Sequence, residues 1–155
     1  MSTRTLLVAL ALLLLTVAYF QPHGSSLKGP YAADPARTPG VVNAGVTQRN
    51  IASTICKHGW TRTIRPPTDY TNALKLKQMR EYGVTGSPTE YQEDHLISLE
   101  LGGHPTDARN LWPEPYPRAA EMDSIENDLN AKVCSGATSL DAAQRKESEI
   151  KHTDG

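Results

Sequence analysis

The stretch 90–103, EYQEDHLISLELGG, sets Glu93, Asp94 and His95 side by side, just ahead of an apolar run at Leu96, Ile97, Leu99 and Leu101. A carboxylate is a hard oxygen ligand suited to Mg²⁺. A neutral imidazole is the side chain best able to take a proton from water near neutral pH. A metal beside such a base could hold a phosphate and stabilise the charge that builds up during its hydrolysis. In a regular strand neighbouring side chains leave opposite faces, so Asp94 and His95 converge only where the backbone bends or the strand begins.

Two further groups complete such a site. Asn110, opening the short apolar run NLW, can bond both ways to backbone and close the loop that carries the pair. The following helix offers Asp123, Glu126 and Asn130, each one position after an apolar residue, as a polar stripe about 100° round from the apolar one. One of the three would be the second metal ligand, and the spacing does not say which.

Several elements have to position these groups. WTRTIRPP alternates and reads as a short strand stopped by Pro66 and Pro67. Thr71 or Asn72 then caps a helix to about Tyr82, stopped by Gly83, with Leu76, Met79 and Tyr82 as its apolar side. The run from Leu96 reads as a strand broken at Gly102-Gly103, and NLW as a return strand ended by Pro113. A helix follows from about Arg118 to Cys134, with its apolar stripe on Met122, Ile125, Leu129 and Val133. Ser139 caps a last helix from Leu140 to about Ile150, and HTDG reads as a frayed tail. NIASTIC fits a short helix or a strand equally well.

The 155 residues are room for one domain with a tail, and the formal charge of −1 says nothing about partners. The charge distribution is more informative. Residues 47–80 hold seven Lys and Arg against Asp69, and residues 89–130 hold ten acids against Arg109 and Arg118. A metal-holding half beside an anion-binding half, or two solvated faces that attract each other, both fit this pattern. Arg62, Arg65, Lys75, Lys77 and Arg80 are the candidate phosphate contacts. Arg4 followed by apolar Leu6–Phe20 reads as a signal peptide or N-terminal anchor over residues 1–20. The Pro-, Gly- and Ser-rich residues 21–46 read as a disordered linker, and 47–151 as the folded domain. Outside the cytoplasm the two cysteines, Cys56 and Cys134, suggest one disulfide, with two separate buried thiols as the alternative. No CxxC pair occurs, which argues against zinc.

EDHLISLELGG followed by NLWPEP resembles the HNH, or His-Me finger, endonucleases, and within them small secreted bacterial proteins with an HNH core. STIC, GWTRTIRPP, YTNALKLKQM and VCSG extend the likeness over about residues 47–145. The resemblance implies an α+β, mostly helical small domain around a ββα-metal hairpin-plus-helix core. It implies a metal-dependent endonuclease acting on DNA, with RNA as an alternative, using one Mg²⁺ or Mn²⁺. His95 matches the general base, Asp94 the acidic ligand before it, and Asn110 the asparagine that braces the loop. The third ligand would come from Asp123, Glu126 or Asn130. The free ring nitrogen of such a base should be defined by a bond from the other one to a backbone carbonyl. Ser98 stands where many members have proline, and Met122 where the closest ones carry lysine. The rival reading is a non-catalytic, disulfide-braced module outside the cytoplasm that binds nucleic acid or protein.

Overall fold

The computed structural model describes residues 32–153, so the apolar segment 1–20 and residues 21–31 lie outside it. The described chain is a small α+β domain, mostly helical, with a two-stranded antiparallel sheet. Its elements are α1 (Trp60–Ile64), α2 (Thr68–Tyr82), β1 (Tyr91–His95), β2 (Leu111–Pro115), α3 (Tyr116–Cys134) and α4 (Leu140–Thr153), joined by single turns of 3₁₀ helix. No helix among the described residues is long and apolar enough to cross a membrane.

Two assignments change at the N-terminal end. Trp60–Ile64 is a helical turn and not a strand. Gly59 enters it with φ +78°, and Arg65 leaves it extended because Pro66 disfavours helical backbone in the residue before it. Trp60 packs on the main core, so the four-residue spacing to Ile64 outweighs the apparent alternation. NIASTIC resolves into a 3₁₀ turn at Ile51–Ser53. α2 begins at Thr68, earlier than the expected Thr71 or Asn72, straight after Pro67. It stops as expected at Gly83 (φ +67°), where the Val84 amide donates to the Met79 carbonyl. Leu76, expected on its inner face, is exposed, and Gln78 is buried instead, donating to the Ala108 carbonyl.

The hairpin starts earlier than the apolar run suggested. β1 is Tyr91–His95, and Leu99–Leu101 is a 3₁₀ turn that folds its leucines into the core. β2 runs past Pro113 to Pro115, and the register is even from Tyr91↔Pro115 to His95↔Leu111. Gly103 explains the need for the double glycine. A Cβ there would lie 1.7 Å from the Ile97 carbonyl oxygen and 2.7 Å from Asn110 Nδ2.

α3 follows β2 directly, and Met122, Leu129 and Val133 of its predicted stripe are buried. Leu129 and Val133 close on Val46, Ile97, Leu101 and Leu140 in the main core, while Leu96 and Trp112 form a smaller cluster with Ala33. The Cys56–Cys134 disulfide forms across 78 positions and ties the turn before α1 to the end of α3. From Ala32 onward the expected linker gives way to a strap. Ala33 and Thr38 are fully buried, the Gly40 amide donates to Arg109 O, and the His104 amide donates to Val41 O. Backbone hydrogen bonds hold this segment where apolar residues are sparse. The expected frayed tail is also structured as far as Thr153, with Lys151 fully buried.

Candidate active site

Because the register runs evenly through Asp94↔Trp112 and His95↔Leu111, the two side chains leave opposite faces of the hairpin. The bend that would bring them onto one cation is absent. The imidazole of His95 is buried, and its Nε2 lies 3.0 Å from the Pro105 carbonyl oxygen. A carbonyl only accepts, so Nε2 carries the proton and Nδ1 keeps its lone pair in the neutral ring. Burial lowers the affinity of His95 for a second proton, against the opposing pull of the Asp94 charge and the Pro105 carbonyl.

Asn110 does what its place before NLW suggested. Fully buried, it accepts from the Ile97 amide and donates to the carbonyls of Ile97 and His104, each at 3.0 Å. The loop between the strands is therefore clasped from both sides, at the turn that leads to Pro105. His104 belongs to the same turn, its Nδ1 accepting from the amides of Thr106 and Asp107.

The expected metal ligands are divided between two places. Asp94 and Glu126 meet at Lys151, whose Nζ lies 3.1 Å from Asp94 Oδ2, 2.6 Å from Glu126 Oε1 and 2.6 Å from the His95 carbonyl. Glu147 Oε1 is 3.8 Å away, and both oxygens of Glu147 accept from the Ser98 amide. Burial would disfavour the ammonium, but the neighbouring carboxylates, Asp94 first and then Glu126 and Glu147, hold it charged. Burial would likewise raise Asp94, but Lys151 and its other partners hold it well below the usual carboxylate range. Glu114, fully buried on the neighbouring strand, is pushed up to about 9, by burial first and then by the charge on Asp94. It is protonated at neutral pH and able to donate. A divalent ion at Asp94 and Glu126 would have to displace a fully buried ammonium, so these residues do not fit the expected Mg²⁺ or Mn²⁺. Among the described residues no three His, Cys, Asp or Glu side chains are grouped to hold a metal.

The chain matches no protein-family model, no curated protein and no solved structure.

Asp123 is exposed and faces a cleft of about 200 Å³ with Glu100, Glu126, Asn127, Ser98 and Arg65. Arg65 lines this cleft, and its charge is felt at both His95 and Glu100. Asn130, the third helix candidate, instead donates to the carbonyls of Glu100 and Ile55 and braces the core. The candidate phosphate contacts are not one free patch. Lys75 donates to the Tyr91 carbonyl and Lys77 pairs with Glu81, while Arg62, Arg65 and Arg80 are exposed.

Lys151, Glu147 and Glu114 are the members of this site that the sequence reading missed. For two of them a signal existed. Leu140, Ala143, Glu147 and Lys151 are spaced three, four and four, the same inward stripe that marked α3. Two ionisable residues on an inward stripe must find each other or another partner.

Proposed function

We propose that the chain is a phosphodiesterase of the HNH type working outside the cytoplasm, on DNA, with RNA as the alternative substrate. The observation that carries this reading is the anchored imidazole. A neutral His95 whose Nε2 proton is committed to Pro105 presents Nδ1 as the only basic nitrogen, and Asn110 keeps the loop that supplies the carbonyl in place. The antiparallel hairpin running directly into α3 is the chain order that a ββα core requires. In this reading Nδ1 takes a proton from the attacking water, and Arg65 faces the phosphate. No step is assigned to a metal, because Lys151 holds the two carboxylates that would bind it. The disulfide is compatible with an oxidising compartment.

The alternative, a non-catalytic nucleic-acid-binding module, is favoured by one specific observation, the closure of the Asp94 carboxylate by Lys151. Supercoiled plasmid and a long RNA, incubated with the wild type and with His95→Ala, separate the two readings. Cutting by the wild type that disappears in a folded His95→Ala protein supports the enzyme. Retardation of both substrates without cutting, equal in the two proteins, sinks it. An arm with EDTA reads the metal requirement separately.

A further inference from the structure

We propose that Lys151 takes the place of the divalent cation, so that the carboxylate cluster between the hairpin and helices α3 and α4 binds no metal. The inference stands whichever functional reading holds. Three facts support it. The ammonium is fully buried and touches Asp94, Glu126 and Glu147 together. Its third hydrogen bond goes to the His95 carbonyl, so all three ammonium protons are directed at acceptors within the protein. And Lys151 lies on α4 while Glu126 lies on α3 and Asp94 on β1, so the charge joins three elements across the core. An ammonium is a compact point charge with three donors, and Asp94, Glu126 and the His95 carbonyl accept all three, with Glu147 adding its charge at 3.8 Å. A second cation in the same space would face that charge at contact distance with no water between.

The arrangement makes a specific demand on the carboxylates. Remove the ammonium, and the carboxylates of Asp94 and Glu126, with Glu147 further off and held by the Ser98 amide, are left buried with no positive charge between them.

The test uses the full chain and Mn²⁺, Mg²⁺ and Ca²⁺ as probes, read by thermal melting and titration calorimetry. The wild type should melt within about 1 °C in EDTA and in millimolar cation. Lys151→Met and the polar, uncharged Lys151→Gln should melt roughly 10–20 °C lower in EDTA, as expected when a buried charge cluster loses one partner. Neither should regain that loss with Mn²⁺, Mg²⁺ or Ca²⁺, because among the described residues no three carboxylates are grouped to replace the ammonium's contacts. Two results overturn the proposal. One is Mn²⁺ binding to the wild type that raises its melting temperature and vanishes in Asp94→Asn. The other is a Lys151→Met protein that melts within about 1 °C of the wild type in EDTA.

Discussion

An imidazole that gives its single ring proton to a carbonyl has no freedom over which nitrogen carries the lone pair. In His95 that choice is made by Pro105, ten residues away, and the burial that lowers its proton affinity keeps the ring neutral further into the acid range than a free histidine. If His95 is the base, His95→Ala should reduce cutting by about 10²–10⁴-fold while leaving far-ultraviolet circular dichroism unchanged. Cutting should persist from neutral pH down past the ordinary imidazole range, which a pH–rate profile reads directly. Asn110 acts on the same loop from inside. Asn110→Ala removes the partner of the buried Ile97 amide and carbonyl and of the part-buried His104 carbonyl, and should cost about 2–4 kcal/mol, seen as a lowered urea midpoint. A midpoint unmoved by that change would mean that the clasp contributes little.

Elements differ in how much of themselves their sequence discloses. α3 was legible because nineteen residues give an apolar stripe room to repeat, and the disulfide because two cysteines leave only one pairing. α1 was not, since five residues starting at a tryptophan satisfy a period of two or of four equally well. The strand was misplaced for a related reason. An apolar run marks burial, and the leucines after His95 are buried in a 3₁₀ turn while the polar residues before it make the ladder. The double glycine fares better, because its demand is steric. Gly103→Ala drives a methyl into the Ile97 carbonyl and the Asn110 amide, and should destabilise the domain by about 3 kcal/mol or more, or prevent its folding. Opening the disulfide should cost about 4 kcal/mol in the chain-entropy account, read as the difference between denaturation curves with and without reductant.

At the scale of the whole molecule, the carboxyls buried around the hairpin decide how stability follows pH. Burial first, and then the charge on Asp94, push Glu93 up to about 8 from 4.5 and Glu114 up to about 9 from 4.5. Each therefore holds a proton in the folded state that the unfolded chain has released, and the stability linked to it is lost as pH rises through the raised value. His95, lowered from 6.5, works in the opposite direction, but only below that value. Between pH 8.5 and pH 6.5 the carboxyls act alone, so the melting temperature should be higher at pH 6.5, by roughly several degrees. A melting temperature that instead rises with alkalinity would show Glu93 and Glu114 to be ionised in the fold. The charge halves visible in the sequence gave no hint of this, because position in a strand pair, not composition, is what buries Glu114 beside Asp94.

The strap and the last helix meet. The Ala33 amide donates to the Lys151 carbonyl at 2.8 Å, and His152 Nε2 lies 2.9 Å from the Thr38 carbonyl. Entry to and exit from the domain are thus neighbours in space. A short peptide could splice them into a ring, and the ring could be reopened at the exposed Thr85–Gly86 turn to give a permuted protein with the same interior. By the same geometry the domain could be carried as an insert within a surface loop of another protein.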